Sequence, residues 1–482
     1  HHSRVSRALA KEREERARQS AMFRLFKHYI PHAVLLFGLC DLALLLLAGD
    51  LAWHLRAIQI GIDAGSWSER LMPILGFALV NALSFISVGL YSPEALRSPR
   101  YAFARALVAL SLGGTLLAVV DFLLPTVGFW RSTLLYALGL ALVFTGIARL
   151  ALSYAVDRDR FKRRVVVLGA GTRAARLKAL SAQEDSGFAI VGYVAMNEAH
   201  RVLPEAVARD GLGDLNEYIA RVRANEVVLA LEERRNALPL NDLLRVRTRG
   251  YAVHEVSSFL ERETGRLDLD TLNPSWLIFS DGFSAGRRYS SILKRTFDIV
   301  VSGLLLLISL PVIALFAVLV KLDSKGPAFF HQQRVGLYGR PFSVIKLRSM
   351  RTDAEKDGAK WACKDDPRIT RLGRFIRKLR IDELPQTWSV LKGEMSFVGP
   401  RPEVPRFVGE LEQALPFYAE RHMVKPGITG WAQINYPYGA SIEDARNKLE
   451  YDLYYAKNYT PFLDLLILLQ TLRVILWPEG AR

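Results

Sequence analysis

Two adjacent carboxylates stand in Ile381-Asp382-Glu383-Leu384-Pro385-Gln386, directly after a strongly basic run from Arg371 to Arg380. Gly399-Pro400-Arg401-Pro402 and Lys425-Pro426-Gly427-Ile428-Thr429-Gly430 follow downstream. Acid flanked by base, on a backbone fixed by Gly and Pro, suits the holding of a metal and a polyphosphate. The plainer reading of the same residues is a helix start: Asp382 caps it and Pro385 sits in its first turn. Gly427 and Gly430 then serve only turns. On these residues alone both readings stand. His331 and His422 are lone histidines in polar stretches and are left outside the site.

The elements that must position these residues begin with a membrane block. The chain has 482 residues, about three domains' worth, a formal net charge of +16 and 50% hydrophobic residues. The charge implies an anionic partner: nucleic acid, a membrane surface or a phosphorylated substrate. Four apolar blocks lie at about 33–53, 72–91, 103–124 and 132–155, each near the ~20 residues that cross a bilayer as helix. A nucleic-acid binder would explain the charge but not these blocks. A cleavable signal peptide fits poorly, because the first block is long and three more follow. The His1-His2 start without Met reads as a tag remnant, and the extreme N-terminus is left uninterpreted. Residues 4–28 alternate basic residues with Glu and read as a solvated or headgroup-facing helix. Basic residues collect before the first block, at Arg97, Arg100 and Arg105, and from Arg158 to Arg164. The positive-inside rule then places the N-terminus, the second connection and everything after residue 156 in the cytoplasm. Asp41, Asp50 and Asp121 lie near or inside the spans and face neighbouring helices rather than a transport path. Two cysteines, Cys40 and Cys363, offer neither a disulfide framework nor a Cys-rich metal site.

Arg164–Leu168 reads as a buried parallel strand, followed by Gly169-Ala170-Gly171-Thr172-Arg173-Ala174 and a helical pattern. This is the G-x-G-x-x-A form of the dinucleotide fingerprint, in which backbone at a helix start approaches a pyrophosphate. Gly169, Gly171 and Ala174 are the candidate cofactor-binding residues, with Glu198 in the place of the acidic ribose partner. Further strands are expected at Ile190–Val194, Glu226–Leu231 and Tyr251–Val256, giving a small Rossmann-like α/β domain. Either it binds NAD or another nucleotide, or it keeps the fold for packing or regulation.

From Ile299 to Val320 runs an apolar segment with Ser309-Leu310-Pro311 near its middle and basic residues on both flanks. Pro removes a backbone donor and kinks a helix. The segment is either a fifth span or a broken, re-entrant helix that returns to the side it entered from. The phosphate-type chemistry that follows favours the second, because a fifth crossing would put it outside. The run Arg371–Arg380 carries Leu372, Phe375, Ile376 and Leu379 at helical spacing, as in an interfacial helix. Phe462–Trp477 reads as a second surface-lying or packing helix.

From about residue 291 to 476 the chain resembles the bacterial sugar transferases, the monotopic phosphoglycosyl transferases acting on polyprenol phosphate. The matching pieces, in order, are Lys294-Arg295-Thr296-Phe297-Asp298, Gly326-Pro327-Ala328-Phe329-Phe330, Gln333-Arg334-Val335-Gly336, Lys346-Leu347-Arg348-Ser349-Met350, Asp366-Pro367-Arg368-Ile369-Thr370, Asp382 through Gln386, Gly393 through Pro402, and Lys425 through Trp431. The membrane block and α/β domain are similar to those of the large members that initiate exopolysaccharide or O-antigen synthesis. Departures are local: Ile381 stands where Leu is usual, Leu347 where Phe is usual, and Leu310 separates Ser309 from Pro311.

The resemblance implies a fold of three parts: a four-span helical block (29–156) after a basic segment (1–28), a Rossmann-like domain (160–285), and a membrane-embedded α/β catalytic domain with a re-entrant helix (290–482). It implies a bacterial inner-membrane enzyme, a homodimer, with its catalytic domain on the cytoplasmic face. It implies a two-step transfer, in which Asp382 attacks the β-phosphate of a UDP-sugar and undecaprenyl phosphate then takes the hexose 1-phosphate. Elementary chemistry agrees. A carboxylate can attack phosphorus, and Mg²⁺ is satisfied by one or two carboxylates plus phosphate oxygens, with Glu383 as its candidate contact. Arg401 between Pro400 and Pro402 suits a fixed bidentate phosphate contact. Lys346 and Arg348 alternate on a predicted strand and so face one side; pairing with surface carboxylates is their plainer role. Lys425 and Gly427 complete the expected phosphate contacts. A membrane-anchored NAD-dependent nucleotide-sugar dehydratase or epimerase is the rival enzyme, but no Tyr-x-x-x-Lys pair lies near the middle domain. A nucleotide-sensing scaffold would leave the acidic pair and the Arg401 loop without purpose.

Overall fold

The computed structural model describes residues 22–25, 28–92, 95, 99–123, 131–155, 162–183, 186–196, 201–232, 239–272, 288–352, 354, 366–437, 439 and 441–476. The chain divides between Thr271 and Leu272 into two compact units.

The first unit holds four apolar helices: α1 (His32–Ile60), α2 (Trp67–Val88), α3 (Pro99–Leu123) and α4 (Arg131–Ala155). Each packs on its neighbours in sequence and α4 returns to α1, closing a ring. Small residues such as Ala48, Ala52, Ala137 and Ala141 are buried at the contacts, while Leu36, Leu79, Phe122 and Ile147 face outward. An apolar exterior around a small-residue seam is what helices in hydrocarbon require. Asp41 on α1 meets Arg149 on α4 at 2.5 Å, and both are buried. The Arg149 guanidinium also lies over the rings of Phe37 and Tyr91. Asp41 thus faces a neighbouring helix, as the sequence led us to expect. In the stretch 4–28 the structure differs from the expected helix: Met22–Leu25 is a strand (β1) paired antiparallel with His28–Pro31 (β2). Aromatic and β-branched residues and a terminal Pro favour extended backbone there over helix. The remainder of 4–28 lies outside the described residues, as do Glu198 and Cys363.

The α/β part of this unit comprises β3 (Arg163–Leu168), α5 (Thr172–Ser181), β4 (Phe188–Ala195), β5 (Val207–Ala208), α6 (Leu215–Arg221), β6 (Glu226–Leu229), α7 (Leu240–Thr248), β7 (Ala252–Glu255) and α8 (Val256–Thr264). All strands pair in parallel, in the order β5-β4-β3-β6-β7. Period-two alternation explains how one Val-rich strand fills two cores. Val165 and Val167 point to one face and pack with Leu177, Phe259 and Leu260. Val166 and Leu168 point to the other and pack with Leu215, Ile219, Leu243 and Val246. The doubly wound sheet expected from the sequence is therefore present, with strand boundaries shifted by one or two residues.

The second unit begins with α9 (Arg288–Asp323), a single helix of 36 residues with Pro311 inside it. The Ser309 hydroxyl donates to Leu306 O at 3.4 Å, not to the Leu307 carbonyl that Pro311 leaves without a donor. Next come the antiparallel hairpin β8 (Phe329–Val335) and β9 (Pro341–Leu347), α10 (Arg371–Lys378), a 3₁₀ turn at Ile381–Glu383, and α11 (Gln386–Lys392). A short parallel pair, β10 (Ser396–Val398) and β11 (Gly427–Thr429), encloses α12 (Pro405–Ala414) in sequence. The helices α13 (Trp431–Asn435), α14 (Ile442–Asn458) and α15 (Pro461–Leu476) complete the unit. Leu463 and Ile467 of α15 are fully buried, and Thr471 bonds Thr429 of β11 at 2.8 Å. This is the packing role expected for the terminal segment.

Both ends of α9 are fastened to the rest of this unit. Near its start, Lys294 reaches Val398 O (3.0 Å) and Asp464 (2.6 Å). Arg295 donates to the last carbonyls of α11, Val390 and Leu391, at 2.7 Å each. Asp298 accepts from Ser396 Oγ (3.0 Å) and the Phe397 amide (3.2 Å). Near its end, Val320 packs in one core with Leu347 of β9 and Ile376 of α10, and Phe316 stacks on Phe375. Among the described residues, five helices are long and apolar enough to cross a membrane: α1–α4 and the Ser291–Asp323 part of α9.

Two measurements test these contacts. Replacing Asp41 or Arg149 singly by Leu should cost about 3 kcal/mol by stranding a buried charge. The double replacement should cost less than either, in thermal unfolding of the nanodisc-held protein. Cysteines introduced at Ile292 and Asp323 should both be labelled from the cytoplasmic side if α9 returns to its face of entry; labelling from opposite sides would make it a fifth span.

Candidate functional site

The site is built around the turn Ile381–Glu383. The basic helix α10 is capped by the Thr370 hydroxyl, which accepts from the Gly373 amide at 2.9 Å. The chain then reverses at Arg380, whose φ of 58° lies in the left-handed region. A non-Gly residue there is uncommon and is held by its surroundings. The reversal delivers Asp382 and Glu383 on a 3₁₀ turn rather than at a helix cap. The helix α11 starts later, with Pro385 at its N-cap. The alternative reading of Asp382 as a helix cap does not hold: a tight turn intervenes, and adjacent side chains on it diverge by about 120°.

The divergence separates two fates. The Glu383 carboxylate accepts from Lys346 Nζ and Arg401 Nη2 at 3.2 Å each, and from Arg380 Nη1 at 3.3 Å. Burial works to raise its pKa, but Arg401, Lys346 and Arg380 together hold it well below the carboxylate range. Asp382 is buried, and its Oδ1 has no hydrogen-bond partner among the described residues. Burial pushes its pKa up and the neighbouring Glu383 charge adds to this, with Lys346, Arg377 and Arg380 opposing. Burial also lowers the Lys346 ammonium, against the pull of Glu383. One carboxylate is neutralised by cations, while its neighbour keeps an oxygen unspent.

Arg401 reaches this cluster from a loop pinned at four successive carbonyls. Pro400 O accepts from the Gly427 amide (2.9 Å), Arg401 O from Arg421 (3.0 Å), Pro402 O from Arg334 (3.0 Å) and Glu403 O from the Val335 amide (2.9 Å). Arg421 is itself buried against Asp452 at 2.7 Å and donates to the Tyr418 hydroxyl. Two prolines without N–H groups leave carbonyls as the handles by which such a loop can be held. Gly427 allows the approach: a Cβ there would lie 2.1 Å from the Gly399 nitrogen. Its role is close backbone packing that fixes Pro400.

The structure brings together Asp382, Glu383, Lys346 and Arg401, with Pro400 and Pro402 framing the last. It sends Arg348 elsewhere. Strand β9 ends at Leu347, so the alternation that was to align Arg348 with Lys346 stops short. The Arg348 guanidinium instead donates to the carbonyls of Val320 (3.3 Å), Ser324 (2.6 Å) and Lys325 (2.8 Å) at the end of α9. Lys425 is lowered by burial and then by Arg295, with Asp298 and Lys294 also acting on it, which places it towards the start of α9. His331 is exposed on β8. His422, left outside the site by the sequence, is buried beside the Tyr418 ring, and burial lowers its pKa to about 3. Arg380, Arg421 and Asp452 were missed as members of the site. Arg380 was visible only as one of a basic run, and Arg421 and Asp452 lie 31 residues apart with no local pattern joining them.

Of the described residues, no three His, Cys, Asp or Glu gather as a metal nest. The donor set still suits a Mg²⁺ ion arriving with phosphates, since such an ion needs one or two protein carboxylates.

Comparison with known proteins finds relatives of two parts of the chain. A family model described as bacterial sugar transferase matches residues 289–478, and one described as a CoA-binding domain matches 87–242. A UDP-N-acetylgalactosamine-undecaprenyl-phosphate N-acetylgalactosaminephosphotransferase of Aeromonas hydrophila is 44% identical over 230 residues, 48% of this chain and 53% of that protein. An undecaprenyl-phosphate glucose phosphotransferase of Komagataeibacter xylinus is 46% identical over 194 residues, 39% of this chain and 36% of that protein. The chain thus spans about half or less of the length of these two relatives. An undecaprenyl-phosphate galactose phosphotransferase of Salmonella typhimurium is 32% identical over 351 residues, 67% of this chain and 70% of that protein. With a relative matched over most of its length and a site whose acidic pair, Lys346 and Arg401 converge in space, the chain belongs to the bacterial sugar transferase family.

Proposed function

We propose that this protein transfers a sugar 1-phosphate from a UDP-sugar to undecaprenyl phosphate, at the cytoplasmic face of the inner membrane. The observation that carries the reading is the unpartnered Oδ1 of buried Asp382 beside a carboxylate already paired with three cations. In the first step an Asp382 oxygen attacks the sugar-bearing phosphorus. The bond from that phosphorus to the bridging oxygen breaks, and UMP leaves. In the second, an oxygen of undecaprenyl phosphate attacks the same phosphorus, the acyl-phosphate bond breaks, and Asp382 is regenerated. The products are undecaprenyl diphosphate-sugar and UMP.

The residues divide this work. Lys346 and Arg401, paired with Glu383 in the free site, would offset the repulsion between an incoming diphosphate and Asp382. Glu383 holds both cations in register before substrate arrives and is the residue that would hold Mg²⁺. Such an ion, when bound, supplies charge neutralisation at the phosphates. The rigid carbonyl-held loop aims the Arg401 guanidinium without a reorganisation cost at the moment of reaction. The first step of exopolysaccharide or O-antigen assembly, in a homodimer, is the setting that the resemblance implies.

The attachment of α9 supports a cytoplasmic site. Residues 295 and 320 would be about 37 Å apart along a straight helix. Yet Arg295 is bound to α11, Val320 packs against β9 and α10, and α11 packs on β9. One small domain holding both ends favours a helix that turns at Pro311 and stays on one side. On α10, Leu372 and Ile376 face the core while Phe375 and Leu379 are half exposed. That leaves an apolar surface which would lie at headgroup depth in this reading, where a lipid phosphate would meet Asp382.

Three outcomes are expected. Asp382→Asn should lower turnover at least about a thousandfold, and labelled sugar phosphate should be recovered on Asp382 of the wild type. Retained transfer would remove Asp382 as nucleophile. UMP release, measured across a panel of UDP-sugars with undecaprenyl phosphate, should occur with one donor class and identify the sugar. The carboxylates should also differ in their effect on stability. The raised pKa of Asp382 means that the folded state holds its proton more tightly than the unfolded chain does. Asp382 therefore costs stability as pH rises above the ordinary value near ~3.9. Glu383, depressed in the fold, contributes stability above its ordinary value near ~4.3 and loses it as pH falls. At pH 7 Asp382→Asn should raise the melting temperature and Glu383→Gln should lower it. The first difference should vanish near pH 4, and the second should shrink only below that.

A further inference from the structure

The glycine turn of the α/β domain is the one feature singled out in the sequence that the transfer chemistry leaves unused. It sits at the end of β3, where the sheet order switches between β4 and β6. Dinucleotides bind doubly wound sheets at this point, with the pyrophosphate against the backbone N–H groups that open the next helix. Gly169 (φ 136°) makes the tight turn, and Ala174 is fully buried where helix meets strand. The fold requirements of the fingerprint are met.

The ligand requirement is not. Glu232, three residues past β6, sends its carboxylate to the start of α5. Its Oε1 accepts from the Arg173 backbone amide at 2.9 Å and from the Thr172 hydroxyl at 2.7 Å. Arg173 folds over it, with Nε 3.6 Å from Oε2 and Nη1 on Leu231 O at 2.9 Å. The space above Gly171, which the fingerprint keeps open for phosphate, is taken: a Cβ there would lie 2.6 Å from Glu232 Oε1. Burial works against the Glu232 charge, but the Arg173 amide, the Thr172 hydroxyl and the Arg173 guanidinium hold its pKa below the carboxylate range. On the other side of the turn, the Val202 and Leu203 amides both bond Ala170 O, at 2.7 and 3.0 Å.

We infer that Glu232 is the resident anion of this turn, and that the α/β domain takes no dinucleotide or coenzyme A diphosphate there. The domain keeps the architecture of a nucleotide site and supplies its own carboxylate where the ligand would bind.

Amide hydrogen exchange on the full chain in nanodiscs tests this. Millimolar NADH or coenzyme A should leave exchange at Thr172–Ala174 of the wild type unchanged. Glu232→Ala should speed exchange there about three- to tenfold, while β3 and β6 stay protected. Glu232→Gln, which keeps an acceptor without the charge, should fall between the two. Slowing of wild-type exchange at these amides by NADH or coenzyme A would overturn the inference. So would unchanged exchange in both variants.

Discussion

Two carboxylates side by side in a buried turn repel each other and lose hydration, and everything about the catalytic unit answers that constraint. Pairing both with cations would leave neither carboxylate an unspent oxygen, and pairing neither would leave two unscreened charges in a buried turn. The resolution is unequal. The 3₁₀ geometry turns Glu383 towards Lys346, Arg380 and Arg401 and leaves an oxygen of Asp382 unpaired. Each cation is exact in origin: Lys346 comes from a hairpin strand, Arg380 from a left-handed reversal, and Arg401 from a loop tied down at four carbonyls. The charges of this site are thus set in place by the fold itself.

Buried or half-buried ion pairs join separate elements at several places among the described residues. Arg421 and Asp452 anchor the backbone of Arg401. Lys294 and Asp464 join the start of α9 to α15. Asp41 and Arg149 join α1 to α4. A buried pair adds little net stability over an apolar contact, but breaking it strands a charge.

Much of this was legible in the sequence. The Val-rich strands and the turn after β3 announced a doubly wound sheet, because buried parallel strands need continuous apolar runs. The acidic pair and Arg401 stood out because charge beside Pro on a stiff backbone leaves few structural roles, and Lys346 stood out through strand alternation and the ordered motifs around it. The failures have physical causes. Arg348 was aligned with Lys346 by strand alternation, but the strand ends one residue too early, and the guanidinium serves the end of α9 instead. The helix start expected at the acidic pair lies later, at Pro385, because a 3₁₀ turn carries no periodic signal. Arg421 and Asp452 meet only through the tertiary fold. Glu232 was invisible as the occupant of the glycine turn for the same reason, since it lies about 60 residues from the amide it binds.

The end of α9 is not a passive tether. Phe316 and Val320 share a core with Leu347, the neighbour of Lys346, and with Ile376 of α10, which leads directly into Arg380. No loop intervenes between the apolar helix and these supports. The apolar helix and two of the site's cations therefore rest on one floor: whatever disturbs the packing of Phe316 or Val320 disturbs the strand that carries Lys346 and the helix that leads into Arg380.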